Sequence, residues 1–430
     1  MATLSQLCLI MAPLDSETDS DLEEFPPTDP EEIRGHGLPW DILLYLMKFL
    51  DMRELSYLMR TCRTLYEHGI QILLTAHAPR LVFMAEYLSF CRFMLRCTRR
   101  PSLLRGLHLV DPLPSSRFAT DDAHTIMTAL ADVISQAVNL ENLEVDGMYT
   151  KLNDPDTGYL WPAITSLERL RIVNLSNVYP RILHSLESMR SSVQELTIEM
   201  DHPDYPMAYD ETPLLQYLKP FAGSLRKLRL CSLIQTLQEV DITPLESVHT
   251  LMVDPVFTRR INLDTLVFTF PNVQSLKIDT GFIEEDEDEN WDLDVARFYQ
   301  EESLSMRWPC LENLVCPVEW AYTSVLGKVT YWKRVHVGGN ICKDVGDHVE
   351  QFKTVLSDIR PAYLDLMLDL CDPDILDAYL FPELDSITHL NLDLLKLQEA
   401  FIRGEEFWLE LLIVRRHSNL TYLRTLLISR

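Results

Sequence analysis

The sequence predicts an α/β protein in which a short N-terminal helical module precedes a long array of strands and helices. Two observations lead to this prediction. Between residues 38 and 74, apolar residues recur at helical spacing in three short runs. Beyond residue 100, an aliphatic-x-x-aliphatic-x-aliphatic pattern typical of strands recurs, with helical runs between the copies. Because strand and helix alternate in one order, we expect parallel strands joined by right-handed crossovers.

Length, composition and charge exclude several classes of protein. The 430 residues suffice for a small domain and a repeat array, and 47% hydrophobic residues exclude a largely disordered chain. The net charge of -27 repels phosphate backbones, so we expect no nucleic-acid partner. Since no stretch approaches about 18 consecutive apolar residues, we also expect no membrane partner.

The chemistry-bearing residues indicate an intracellular protein that is not an enzyme. The nine cysteines are irregularly spaced without a C-x-x-C pair, which predicts no metal site and favours a reducing compartment, cytoplasmic or nuclear. Nucleotide-binding, zinc-protease and hydrolase motifs are absent from the sequence. We therefore predict no catalytic residue, no metal and no cofactor. An enzyme whose site is assembled from distant residues stays open as an alternative.

The N-terminal residues 1–35 are predicted to form an acidic, disordered tail. Nine acidic residues and three prolines lie between Asp15 and Glu32. Such a segment buries too little apolar surface to fold by itself.

Three short helices are predicted next. Pro39 suits a first helical turn and Asp41 is favoured there by the helix dipole. The first helix carries an apolar stripe, and the second follows Asp51, a capping residue. The third begins near Thr61. The apolar positions of the three helices are Ile42, Leu43, Leu46, Phe49 and Leu50; Leu55, Leu58 and Met59; and Leu65, Tyr66, Ile70, Leu73 and Leu74.

Residues 38–66, LPWDILLYLMKFLDMRELSYLMRTCRTLY, resemble an F-box. Eleven positions match the family pattern without a gap: Leu38, Pro39, Asp41, Ile42, Leu43, Leu50, Asp51, Leu55, Leu58, Cys62 and Arg63. The sequence departs at Leu65, where the family often has Trp. The resemblance implies an F-box domain over residues 36–80.

An F-box implies docking onto the Skp adaptor of a cullin–RING ubiquitin ligase. The residues that correspond to the adaptor-facing positions of the family are Leu38, Pro39, Ile42, Leu43, Leu58 and Cys62. The alternative is that these residues only pack their own three helices.

Twelve copies of the strand pattern follow, with a mean spacing of 29 residues. They begin at Leu104, Leu140, Leu167, Val193, Leu225, Val248, Val273, Leu311, Trp332, Pro361, Ile387 and Leu423. Helices are predicted between some of them, at Asp121–Val138, Pro180–Met189, Val345–Ile359 and Glu405–Arg416.

This periodicity resembles leucine-rich repeats and implies a solenoid with a curved parallel sheet over residues 81–430. The asparagine that usually follows the strand in that family is missing from almost every copy, so we expect an irregular solenoid. The low glycine content and divergent repeats resemble the F-box families of filamentous fungi. An ordinary α/β sheet is the alternative.

The three x positions of each copy are expected to face solvent on the concave side of the sheet. Ten of these 36 positions carry Lys or Arg and six carry Asp or Glu, which gives this face the opposite sign to the chain. The predicted binding residues for an acidic or phosphorylated target are Arg169, Arg171, Arg226, Lys227, Arg229, Lys277, Lys333 and Arg334. Scattered surface charge is the alternative.

Together the two resemblances imply a substrate-receptor subunit of an SCF-type (Skp–cullin–F-box) ubiquitin ligase. The F-box would dock the Skp adaptor, and the solenoid would hold a target protein that the sequence does not identify. A leucine-rich scaffold without a ligase role is the alternative.

Overall fold

A computed structural model of the chain shows an α/β protein. It describes residues 39–110, 120–146, 160–178, 180–200, 214–231, 243–253, 263–278, 294–295, 297–298, 301, 308–309, 311–324, 334–338, 346–369, 387–395 and 422–428. The predicted acidic tail, Leu38, Lys333 and the predicted helix Glu405–Arg416 lie outside these residues. The chain divides into two compact units, Met1–Asp201 and His202–Arg430.

The first unit begins with three helices, where the sequence predicts them. They are α1 (Trp40–Leu46), continued by a 3-10 turn (Met47–Phe49), α2 (Met52–Met59) and α3 (Arg63–Ala76). The Asp51 carboxylate accepts a hydrogen bond from the Glu54 backbone N–H at 2.8 Å, and Glu54 accepts one from the Asp51 N–H at 3.3 Å. This capping box fixes the start of α2 and confirms the capping role predicted for Asp51.

The core of these helices is small and closely packed. Its main buried side chains are Met47, Leu55, Met59, Leu65, Ile70, Leu73 and Leu74. Gly69 lets α3 approach its neighbours, because a Cβ at this position would lie 2.2 Å from Met59 Cγ. We name α1–α3 the helical module.

The rest of the first unit alternates strands and helices. Its elements are β1 (Arg80–Leu81), α4 (Met84–Leu95), α5 (Arg99–Leu103), β2 (Gly106–Val110), α6 (Thr120–Gln136), β3 (Asn142–Asp146), α7 (Leu160–Thr165), β4 (Ile172–Val178), α8 (Pro180–Leu186) and β5 (Glu195–Met200). The strand β1 was not predicted, since two residues are too short to show a periodicity.

The second unit continues the alternation. Its elements are α9 (Leu214–Leu218), a 3-10 turn (Lys219–Phe221), β6 (Lys227–Cys231), β7 (Thr250–Val253), α10 (Leu263–Thr269), β8 (Ser275–Ile278), β9 (Asn313–Cys316), α11 (Val318–Thr323), β10 (Arg334–Gly338), α12 (Gly346–Ile359), β11 (Tyr363–Asp369), β12 (His389–Leu395) and β13 (Tyr422–Ile428).

In each unit the strands pair in chain order, and every described pairing is parallel. This confirms the predicted parallel arrangement, in which each strand lies beside the next one along the chain. The result is a solenoid-like α/β fold.

The strand registers agree with ten of the twelve sequence copies and correct the other two. The pairing of Leu143 with Val173 places the third repeat at Leu170 instead of Leu167. The pairing of Leu390 with Leu423 likewise moves the last repeat three residues toward the N-terminus. Around β4 leucines stand at both 167 and 170, so the sequence fits two frames, and strand pairing selects the one that buries Val173 and Leu175.

Burial alternates along the strands as the pattern predicts. The described Leu, Val and Ile side chains at the aliphatic positions are at most 5% exposed. The intervening side chains are half-buried or exposed at almost every described position, Asp365 being buried. One side of the sheet is therefore the core, and the other presents polar residues.

The helical module joins the first strands directly. The Arg105 N–H donates to the Leu74 carbonyl at the end of α3, at 3.1 Å. Gly106 starts β2 against Ala78, whose Cβ would lie 2.8 Å from a Cβ at position 106. The predicted boundary between residues 80 and 81 lies within the first unit and stays a prediction.

The alternation on β7 predicts unequal effects of two truncations on neighbouring residues. Leu251 is fully buried and Met252 is half-buried on the opposite face. Leu251→Ala should lower the free energy of unfolding by about 2–5 kcal/mol, because it leaves a cavity. Met252→Ala, which removes a side chain of similar size, should lower it by less than about 1 kcal/mol. Urea denaturation of both variants checks this, and equal losses would contradict the register.

Candidate functional site

The first candidate site is an apolar surface on the helical module. None of the residues of α1 is buried, although the helix is rich in large apolar side chains. Six apolar or aromatic side chains, which we name the apolar helix face, are exposed from 41% (Ile42) to 68% (Phe49): Trp40, Ile42, Tyr45, Leu46, Phe49 and Tyr57. The Tyr45 and Phe49 rings pack edge to face with centroids 5.0 Å apart.

The predicted adaptor-facing residues that are described lie on or immediately beside the three helices of the module, and one of them, Ile42, belongs to the apolar helix face. Pro39 is exposed and occupies the N-cap position, one residue before α1 begins at Trp40. Ile42 is exposed, and Leu43 and Leu58 are half-buried. Cys62 is a half-buried free thiol that precedes α3.

The sequence periodicity did not reveal how much of this surface is open. It placed Leu46 and Phe49 on an apolar stripe that could pack inside the module, yet the buried residue of this stretch is Met47. Trp40, Tyr45 and Tyr57 were missed. The available signal was that these aromatic residues lie outside the apolar stripes predicted for the first two helices.

In the first unit, two of the arginines beside the outward face of the strands bind other side chains of the same unit. Arg105 Nη1 lies 2.7 Å from Glu141 Oε1, an ion pair between the residues that immediately precede β2 and β3. Arg169 precedes β4 and its Nη1 donates to Asn139 Oδ1 at 2.9 Å. Arg169 is therefore not on the strand, which corrects the predicted outward position.

An open cleft of about 290 Å³ lies on this part of the first unit. Its lining residues are Glu141, Glu168, Arg169, Leu170, Arg171, Ser192 and Gln194. The structure thus brings Arg169 and Arg171 together, but two carboxylates share the cleft with them. The local charge is mixed.

His108 lies on the same face in an unusual environment. Its Nδ1 is 3.5 Å from Glu144 Oε2, and no described residue offers a hydrogen-bond partner to its buried Nε2. Burial lowers the pKa of His108; Glu144 acts in the opposite direction, and Arg80, opposite His108 on β1, lowers the pKa further. Burial outweighs the carboxylate.

In the second unit, Lys227, Arg229 and Lys277 lie on the outward side of β6 and β8, and Arg226 immediately precedes β6. Arg226 and Lys227 are exposed, while Arg229 and Lys277 are half-buried. The Arg229 Nε donates to Cys231 Sγ at 3.2 Å. Arg334 begins β10, and its side chain lies outside the described part of the structure.

The described residues contain no group of three or more His, Cys, Asp and Glu side chains arranged to hold a metal ion. Among the same residues, no helix combines the length and the apolar character needed to cross a membrane. The thiol of Cys91 is buried, which raises its pKa to about 12 and makes it unreactive at neutral pH.

Comparison with known proteins establishes no family. No protein-family model and no curated protein sequence matches the chain. Among solved structures, a chain from the crystal structure of the Rad7 and Elc1 complex in yeast aligns with a TM-score of 0.36 at 12% identity. The alignment covers 83% of this chain and 89% of that chain. These values are too low to support an inference about function.

The lowered pKa of His108 predicts a pH-dependent stability. Unfolding restores the ordinary imidazole pKa of about 6.5, so the unfolded chain takes up a proton more readily than the folded one. The stabilisation is therefore present above that pKa and is lost as the pH falls through it toward the lower folded value. The unfolding free energy, measured from about pH 8 to about pH 5, should fall more steeply for the wild type than for His108→Gln. Parallel curves would contradict the predicted shift.

Proposed function

We propose that the protein is a substrate-receptor subunit of an SCF-type ubiquitin ligase. Its helical module acts as an F-box that docks the Skp adaptor, and its strand–helix array acts as an irregular leucine-rich repeat solenoid that binds a target protein. Other subunits of the ligase would supply the chemistry, so this chain needs no active site of its own.

The observation that carries the proposal is the apolar helix face. Monomeric proteins bury most of their large apolar side chains, because covering them from water is favourable, so a short segment that leaves six of them exposed is unusual. Here they come from a single helix without a buried residue and from the segment and helix that follow it. Tyr and Trp, the residues most often found at interface hot spots, supply three of its six side chains.

The sequence resemblance indicates what would cover this face. Pro39, Ile42, Leu43, Leu58 and Cys62 correspond to family positions that face the adaptor, and each is exposed or half-buried here. The deeply buried positions of the same pattern, such as Leu55, hold the module together. The two sets of residues therefore divide between partner contact and internal packing.

The array supports the second half of the proposal. Parallel strands whose aliphatic positions are buried form a stable scaffold, and their outward side chains form a continuous polar face within each unit. Such a face suits the recognition of a protein surface or segment.

A single charge on the apolar helix face should abolish adaptor binding. Ile42→Asp places a carboxylate where the interface would exclude water, and this burial is strongly unfavourable without a partner charge. Affinity for the purified Skp adaptor, measured by calorimetry with the full chain, should fall at least about tenfold. The free energy of unfolding should change by less than about 1 kcal/mol, since Ile42 is exposed.

Val138→Asp is the matched control. Val138 is also aliphatic, β-branched and 56% exposed, but it lies beyond the end of α6 and outside the apolar helix face. It should leave adaptor affinity unchanged. Equal binding by the wild type and Ile42→Asp would place the contact elsewhere, and no binding by the wild type would overturn the proposed function.

A further inference from the structure

Arginines are concentrated in one stretch of the first unit. Within residues 77–110, Glu86 is the single acidic residue, in a chain with 38 basic and 65 acidic residues. The Glu86 side chain is buried and accepts hydrogen bonds from the Val82 and Phe83 N–H groups at 2.8 and 3.2 Å, so it faces the backbone and not the surface. The arginines of the stretch are Arg80, Arg92, Arg96, Arg99, Arg100 and Arg105.

Three of these arginines share one helical face. Three residues separate α4 from α5, and the backbone keeps right-handed helical angles at Arg96 and Thr98. Arg92, Arg96 and Arg99 follow one another at i, i+4 and i+7, a spacing that places side chains on the same side of a helix. All three are exposed, whereas Met94 on the other side is buried. We name these three residues the arginine face.

Two members of the arginine face carry charge that the described residues do not balance. Arg92 and Arg99 form no ion pair and no side-chain hydrogen bond with any residue that the structure describes. Elsewhere in the same unit, Arg63 is paired with Glu67 at 3.0 Å. The guanidinium groups of Arg92 and Arg99 are therefore open to an anionic partner.

The chain itself carries a segment of complementary charge. Residues 15–32, which we name the acidic segment, contain nine Asp and Glu residues and neither Lys nor Arg. Guanidinium groups form strong, charge-assisted hydrogen bonds with carboxylates. The acidic segment therefore offers the arginine face several alternative carboxylate partners at once.

The acidic segment is tethered close to the arginine face. Residues 33–38 join it to the helical module, whose helix α3 contacts α5. Residues 15–38 can span about 80 Å, several times the radius of gyration of about 17 Å expected for a compact unit of this size. A tethered ligand acts at an effective concentration in the millimolar range, so even weak ion pairs suffice for binding.

We infer that the arginine face binds the acidic segment of the same chain. The contact is intramolecular and electrostatic, and it covers Arg92 and Arg99. Another polyanion reaches these residues only by displacing the segment, which makes the segment a built-in competitor. The contact goes beyond the proposed function and does not depend on it, because the apolar helix face takes no part in it.

The test is a competition in full-length protein. One variant has Asn or Gln in place of every Asp and Glu of residues 15–32, which removes the charge of the acidic segment and keeps its length. The probe is a fluorescein-labelled peptide with the wild-type sequence of these residues, and its binding is measured by fluorescence anisotropy. The neutralised variant should bind the probe at least about tenfold more tightly than the wild type, whose tethered segment competes for the same face.

Charge reversal in the neutralised variant locates the contact. Arg92→Glu combined with Arg99→Glu should weaken probe binding at least about tenfold. The matched control is Arg190→Glu combined with Arg226→Glu, an equal change of charge at two exposed arginines outside α4 and α5. It should leave probe affinity close to that of the neutralised variant. Both combinations should keep its urea midpoint, since all four positions are exposed.

Three results would overturn the inference. Equal probe affinity of the wild type and the neutralised variant, including no binding by either, would mean that the acidic segment does not occupy the arginine face. Equal weakening by both charge reversals would place the contact elsewhere. Dimers of the wild type in sedimentation that the reversal at Arg92 and Arg99 dissociates would place the segment on a second copy. Adaptor affinity should be the same for the wild type and the neutralised variant.

Discussion

One-sided burial of the parallel strands is the interaction on which the rest of the structure depends. Wherever the side chains of a strand are described, its aliphatic side chains lie in the core, and burying one such side chain contributes about 1.5–3 kcal/mol. Because side chains alternate along a strand, this burial leaves the intervening residues on the opposite side. The positions of Lys227, Arg229 and Lys277 on one face are thus a consequence of where Leu228, Leu230 and Leu276 are buried.

The helical module depends on the same array. Its small core is closed by Leu55, Met59 and Leu73, and its last helix is tied to β2 through the Leu74 carbonyl. The buried residues of the module come from α2, α3 and the 3-10 turn before α2. None comes from α1, whose large apolar side chains are exposed or half-buried. The chain therefore combines an uncovered apolar helix face with a polar strand face. These two surfaces differ in chemistry and suit different partners.

Charge distribution separates the two units further. In the first unit, Arg105 is paired with Glu141 beside the starts of β2 and β3. In the second unit, the outward positions of β6 and β8 carry Lys227, Arg229 and Lys277, in a chain whose net charge is -27.

The sequence alone determined the features that depend on local spacing: the three helices, the capping role of Asp51, the parallel strands and the alternation of buried and outward residues. The repeat frame at β4 and the exposure of α1 depend on tertiary structure. Leucines at 167 and 170 fit two repeat frames, and only pairing with β3 selected the second and removed Arg169 from the strand. Periodicity shows that α1 is apolar but not what covers it, because exposure depends on contacts with residues distant in sequence. Pairing between strands and packing between helices are long-range interactions, which a local pattern does not encode.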